Sequence, residues 1–258
     1  MSRQFSISRG VWLGLLFGLT ALTASAADGA PAVINKLNDK GQKSEVAGFP
    51  NAFVFVESVD GIEFVVDDAR SPNRLSLKFR SYDVEYKDVS SADFIRAKTA
   101  EEAGTPDKAY EAYAKAAAGA KYAWVKEEAL FRGATVALSA KKFDEAIALT
   151  ATLEKEAPRS LLLARALMVR GQAQAAKGDP AAATKTFAVI SGMAKNWGDA
   201  AALIGAQGQA GVLAANKQFS EAADVLAKVL SGVDMTKIKG EYVNAAIDLA
   251  DNQRAAGK

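Results

Sequence analysis

Between Ala52 and Tyr86 apolar and polar residues alternate in short runs, whereas from Asp93 onward the apolar positions recur at helical spacing. Ala52-Phe-Val-Phe-Val-Glu57 is β-branched and aromatic, Ser58-Val-Asp-Gly61 is a turn signal, and Ile62-Glu-Phe-Val-Val66 follows; together they predict a hairpin. Leu75-Ser-Leu-Lys-Phe79 alternates strictly, with Leu75, Leu77 and Phe79 on one face, and Tyr82, Val84 and Tyr86 repeat the pattern. Residues 47–90 are therefore expected to form a small antiparallel β-sheet or small half-open β-barrel of four short strands. Residues 27–46 are polar and rich in Asn, Lys and Gly, and read as a flexible leader with one weak strand near Val33. So small a unit rarely holds a core alone, so it is expected to pack on the first helices with Phe94 at the contact. Its tyrosines either face that core or form a glycan- or peptide-binding surface; aromatic residues at strand spacing mostly face inward.

The helical part is punctuated by a short phrase, clearest at Lys142-Phe-Asp-Glu-Ala146, where a small loop gives way to a helix. Its counterparts end on Ala109, Ala183 and Ala222, giving steps of 37, 37 and 39 residues. A fixed period in this range marks a stacked helical-repeat array. Twelve residues before each anchor alanine stands another small residue: Ala97, Ala134, Gly171 and Ala210. Small residues facing each other let two antiparallel helices approach closely. The pattern predicts about four helix pairs, broken within a pair near Gly104-Thr-Pro106 and Gly178-Asp-Pro180 and separated between the second and third near Pro158-Arg-Ser160, with Thr105 as a helix N-cap. A last helix over 237–256 is expected to cap the array, with Tyr242, Ile247 and Ala250 on its packed side.

On those residues, and on Tyr113 and Ala116 after Ala109, Phe187 after Ala183 and Pro158 after Ala146, the chain resembles the tetratricopeptide repeat family. The resemblance covers residues 91–258. It departs from the family in its longer period, against about 34 residues, and in Leu130, Leu167 and Ala206 standing where a large aromatic is favoured. What it implies is a TPR-like α-solenoid whose first helices line a groove for an extended or helical peptide. Carried over from each anchor, the groove positions are Glu128, Phe131 and Thr135 in the second repeat. The third contributes Arg165, Met168 and Gln172, and the fourth Ile204, Gln207 and Gly211. Phe94 and Lys98 occupy the first-repeat positions, so the lysine and asparagine pattern with which some relatives clamp a peptide carboxylate is missing. Met168 and Phe131 either anchor a hydrophobic ligand or fill the superhelix interior.

Composition narrows the chemistry. Arg3 and Arg9 precede an apolar run from Val11 to Leu22 and then Ala24-Ser-Ala26, the pattern of a secretory signal over residues 1–26. The run is shorter than the roughly 20 apolar residues of a spanning anchor, so cleavage is the expectation, and a periplasmic or extracellular location follows. The leader carries two of the 32 basic residues and none of the 30 acidic ones, leaving 30 of each. That balance names neither nucleic acid nor an anionic membrane as a partner. With no cysteine and no histidine, disulfides, thiolate sites, the commonest zinc ligand and every serine–histidine triad drop out. The adjacent acids Asp67-Asp68, Glu101-Glu102, Glu127-Glu128 and Asp144-Glu145 are read as solvated surface, and Trp124 and Trp197 as packing wedges. The expectation is a non-enzymatic adaptor without cofactor or metal, binding another envelope protein; the alternative is a structural component of an envelope or secretion assembly.

Overall fold

The computed structural model describes residues 29–37, 48–78, 81–87, 91–234 and 239–257. The secretory signal over 1–26 lies outside them, as do residues 27, 28 and 38–46 of the expected leader. Five strands come first: β1 Ala30–Lys36, β2 Phe49–Ser58, β3 Gly61–Val66, β4 Leu75–Lys78 and β5 Tyr82–Tyr86. They form one antiparallel sheet in the order β4-β3-β2-β1-β5, open rather than closed into a barrel. The strand expected near Val33 is present as β1, but the flexible-leader expectation is corrected for residues 30–36, because β1 sits inside the sheet, pairing Ala32 with Ala52 of β2 and with Tyr86 of β5. Its inward positions Ala30, Ala32 and Ile34 are buried. Pro31 and the absence of polar residues between them hide the period of two, yet Pro31 still contributes its carbonyl, which accepts from Lys87 N at 2.9 Å.

Leu75, expected to pack beside Leu77, is exposed because β4 is an edge strand; Phe79 lies outside the described residues. The sheet's core gathers Ile34, Val54, Ile62, Phe64 and Tyr82.

Ten helices follow among the described residues: α1 Ala92–Glu102, α2 Pro106–Ala118, α3 Ala123–Ser139, α4 Phe143–Glu156, α5 Leu163–Ala176, α6 Pro180–Gly192, α7 Ala194–Trp197, α8 Asp199–Ala215, α9 Phe219–Leu230 and α10 Lys239–Ala255. Four pairs, α1/α2, α3/α4, α5/α6 and α8/α9, are joined by tight turns, and α10 packs on the last pair. Every small residue of the repeated phrase is buried, from Ala97 and Ala109 to Ala210 and Ala222. Four residues after each anchor stand Tyr113, Thr150, Phe187 and Leu226, also buried. The array is thus a TPR-like solenoid, held by close helix crossings at small residues with one larger side chain locking each crossing.

Within every pair the turn has the same backbone. Gly104, Lys141, Gly178 and Lys217 take φ of 65°, 60°, 93° and 63°, and each stands five residues before its anchor alanine. The next amide donates to a carbonyl five residues back: Thr105 to Ala100, Lys142 to Ala137, Asp179 to Gln174 and Gln218 to Leu213, at 2.8–2.9 Å. This is the left-handed helix stop that ties off unpaired carbonyls. Thr105 occupies the N-cap position of α2, but its hydroxyl donates to Ala100 O instead of capping. Side-chain caps are made by Ser91, accepting from Phe94 N at 3.2 Å, and Asp179, accepting from Ala182 N at 2.9 Å.

On α10 the packed side is Tyr242, Ala245 and Leu249. Ile247 and Ala250, expected there, point to solvent. The short α7, which the sequence reading missed, ends at Gly198 with φ 82° and realigns the chain for α8.

Candidate binding surfaces

Groove positions from the sequence fall on α3, α5 and α8, the first helices of their pairs, and the structure divides them into three groups. Met168, Gln172, Gln207 and Gly211 come together around a pocket of about 480 Å³ between α5 and α8. Its wall includes Gly208 and Phe187, with the side-chain amides of Gln172, Gln207 and Asn216. Gln207 Nε2 donates to Asp248 Oδ2 on α10 at 2.8 Å, so the capping helix bounds this end of the groove.

Phe131 and Arg165 form the second group, with the guanidinium 4.7 Å from the centre of the ring. This is a cation–π contact between neighbouring repeats, and it leaves Phe131 half-buried and Arg165 exposed. Thr135 is exposed, its hydroxyl donating back to Phe131 O. Ile204 is half-buried against the main core, and so are Phe131 and Met168, the two residues for which interior packing was the alternative to anchoring a ligand.

Glu128 belongs to the third group, together with the first-repeat groove positions Phe94 and Lys98. All three line a cavity of about 720 Å³ whose opposite wall is the β-sheet, through Phe55, Glu57 and Tyr86. The sheet therefore covers the first-repeat end of the groove. Glu128 is engaged by Arg132 at 2.6 Å, and Arg132 reaches Glu101 at 3.3 Å.

Contact between sheet and helices is made at two places. Tyr86 stacks on Trp124, centroids 4.9 Å apart and planes at 17°, and Trp124 meets Phe94 edge-on at 6.3 Å. Phe94 is thus one ring behind the contact rather than at it. At the β2–β3 turn, Val59 N donates to Arg159 O at 3.1 Å, and the Arg159 guanidinium grips Asp60, Nε donating to Oδ2 at 2.7 Å. Arg159 also lies 5.4 Å over Trp197, whose Nε1 donates to Ser160 O at 2.9 Å. The arginine beside Asp60 holds that carboxyl below its usual range.

Between these contacts lie two glutamates. Burial pushes the Glu57 carboxyl up, opposed by the hydroxyl of Tyr86, which donates to Oε2 at 2.9 Å. Burial likewise pushes Glu127 up to about 7, opposed by the Ser160 hydroxyl at 2.6 Å and reinforced by the charge of Glu57. Burial and the charge of Glu57 also raise Tyr86 and Tyr82, so both phenols stay neutral. Glu127 is not the solvated surface the sequence reading made of it. No local signal marks it, because its burial comes from the sheet laid over α3.

Among the described residues no helix is long and apolar enough to cross a membrane. No family model matches the chain, and no curated protein matches it. Two solved structures of a Podosopora anserina protein, described as a kinesin light chain with nearly identical TPR-like repeats, are similar to it. Each has a TM-score of 0.49 and 17% sequence identity over 64% of this chain, covering 85% and 86% of those chains.

Proposed function

We propose that this chain is an exported, non-enzymatic adaptor that binds an extended or helical segment of another envelope protein in its solenoid groove. One observation carries the reading: four groove residues from two consecutive repeats, Met168, Gln172, Gln207 and Gly211, converge on one pocket. A partly apolar pocket with three amide side chains, Gln172, Gln207 and Asn216, suits one hydrophobic anchor side chain flanked by peptide groups. The sheet at one end and α10 at the other leave the middle repeats as the open stretch. Export rests on the leader sequence, and the envelope partner follows from export.

Gly211 gives the sharpest test, because a side chain added there meets no atom within 4 Å and projects into the pocket. The chain from Asp28 to Lys258 is used as bait in a native envelope extract beside Gly211→Trp and the double substitution Phe131→Glu with Met168→Glu. A partner captured by the parent and lost from both variants, each still cooperatively folded, supports the adaptor. A partner set unchanged by both removes it.

The second reading is a structural part of a larger assembly that docks through the sheet. What favours it is the exposed edge strand β4 with Leu75 42% exposed, since an unpaired edge is a template for another strand. Partners that survive the groove variants and are lost on Leu75→Glu belong to this reading.

A further inference from the structure

We propose that the joint between sheet and solenoid is a proton-operated latch in which Glu57 of β2 and Glu127 of α3 face one cavity without a cation between them, so that ionising the pair releases the sheet from the first-repeat end of the groove. The proposal concerns access to that end and does not depend on what the middle pocket binds.

The geometry has three parts. Each carboxylate is held by one neutral donor on its own side, Glu57 by Tyr86 and Glu127 by Ser160. Neither has a lysine or arginine partner among the described residues; Arg132, in the same cavity, is taken by Glu128 and Glu101, and Lys98 is exposed at its rim. The remaining charged groups around the pair are acidic: Asp83 beside Glu57, and Glu102 and Glu128 in the cavity wall. Two half-buried like charges without a counterion are costly, and the cost falls when the sheet lifts and more water reaches them.

Proton affinity supports the same direction. Both carboxyls bind protons more tightly when the joint is closed than as free side chains. Closure is therefore strongest below the ordinary glutamate range, weakens as pH rises through about 7 for Glu127, and levels off above it. The Asp60–Arg159 pair does not change over that interval, because the Asp60 carboxyl is held below its usual range. It acts as the constant part of the latch, and the glutamates as the variable part. Opening would uncover Phe94 of the first repeat and Glu128 of the second, beside the already exposed Lys98, together with the Tyr86 and Trp124 faces.

The chain has no cysteine, so a spin-label pair is introduced cleanly on the exposed side chains of Arg70, in the turn between β3 and β4, and Lys177, at the end of α5. Inter-label distance distributions are measured on the otherwise complete chain at pH 5 and pH 8.5. A single distance at pH 5 and a second, longer population at pH 8.5 are expected, the ratio of open to closed rising about a hundredfold at most. Glu57→Gln with Glu127→Gln, which keeps shape and removes charge, holds the single distance at both pH values. Glu127→Gln alone removes most of the change and serves should the double variant fold poorly. An identical distribution at the two pH values in the parent, or an undiminished shift in Glu127→Gln, overturns the proposal.

Discussion

A Cβ on Gly208 of α8 would lie 2.3 Å from Cδ1 of Phe187 on α6, and one on Gly171 of α5 would lie 2.3 Å from Cε1 of the same ring. Phe187 is thus clasped by backbone on two sides and is among the largest fully enclosed side chains. Gly208→Ala is expected to cost about 1–3 kcal/mol through overpacking, and Phe187→Ala about 3–5 kcal/mol through the cavity it leaves. Urea unfolding of the two variants and of their combination checks this. Because each change removes what the other needs, the double variant is expected to cost less than the sum of the two.

The left-handed turns give a second pair of expectations with opposite signs. Lys141 and Lys217 hold a conformation that costs an L-residue about 1 kcal/mol, while Gly104 and Gly178 hold it without strain. Lys141→Gly is expected to raise the unfolding midpoint, because no contact of the Cβ is needed there. Gly178→Ala is expected to lower it by a similar amount, although an added Cβ meets nothing within 4 Å. Thermal melts of both decide it, and a stabilising Gly178→Ala would show that backbone strain is not what these turns share.

These turns show why the solenoid was legible. The anchor alanines, their small partners twelve residues earlier and the turn residues are set by contacts within one helix pair, so each pair writes its geometry into one stretch of sequence. The meeting of Met168, Gln172, Gln207 and Gly211 at one pocket follows from the same local register of α5 and α8. What lay hidden depended on surfaces meeting across the chain. β1 shows in sequence only as a weak strand near Val33; its central place is hidden because Pro31 and Val33, not polar residues, separate its inward positions, and its burial is created by β2 and β5 on either side. Glu127 reads as surface on α3 until the sheet covers it. The third-group residues Phe94, Lys98 and Glu128 sit at groove positions, yet nothing near them in sequence tells that Tyr86 and Glu57 will stand opposite. Ile247 and Ala250 were misplaced because the face of α10 is chosen by its neighbours α8 and α9, not by its own weak apolar pattern.

The buried glutamates also make global stability depend on pH. Glu127 binds its proton more tightly folded than unfolded, with a folded value of about 7 against 4.5 for the ordinary side chain. Its contribution is fully present below the unfolded value and is lost as pH rises through the folded one. Between pH 5 and pH 8 the urea midpoint is expected to fall, by an amount corresponding to on the order of 2 kcal/mol. Glu127→Gln flattens the profile and is expected to be the more stable chain at pH 8. A profile that rises over this interval, or one untouched by the substitution, would place the charge of Glu127 in water.

The last expectation separates folding from binding at one residue. Gly211 lies inside α8, is exposed, and has open space where a side chain would go. Nothing in the packing asks for glycine there, and glycine in a helix interior costs roughly 0.5–1 kcal/mol against alanine. Gly211→Ala is therefore expected to stabilise the chain by about that amount, in contrast to its neighbour Gly208, where the same change meets the Phe187 ring. Gly211→Trp keeps the helix but places an indole in the space bounded by Met168, Gln172 and Gln207. If the pocket is the recognition site, affinity for the captured partner falls with side-chain size from Gly through Ala to Trp while the melting temperature does not. If affinity is flat across the three, the pocket is a by-product of the Phe187 clasp, and recognition belongs to the sheet.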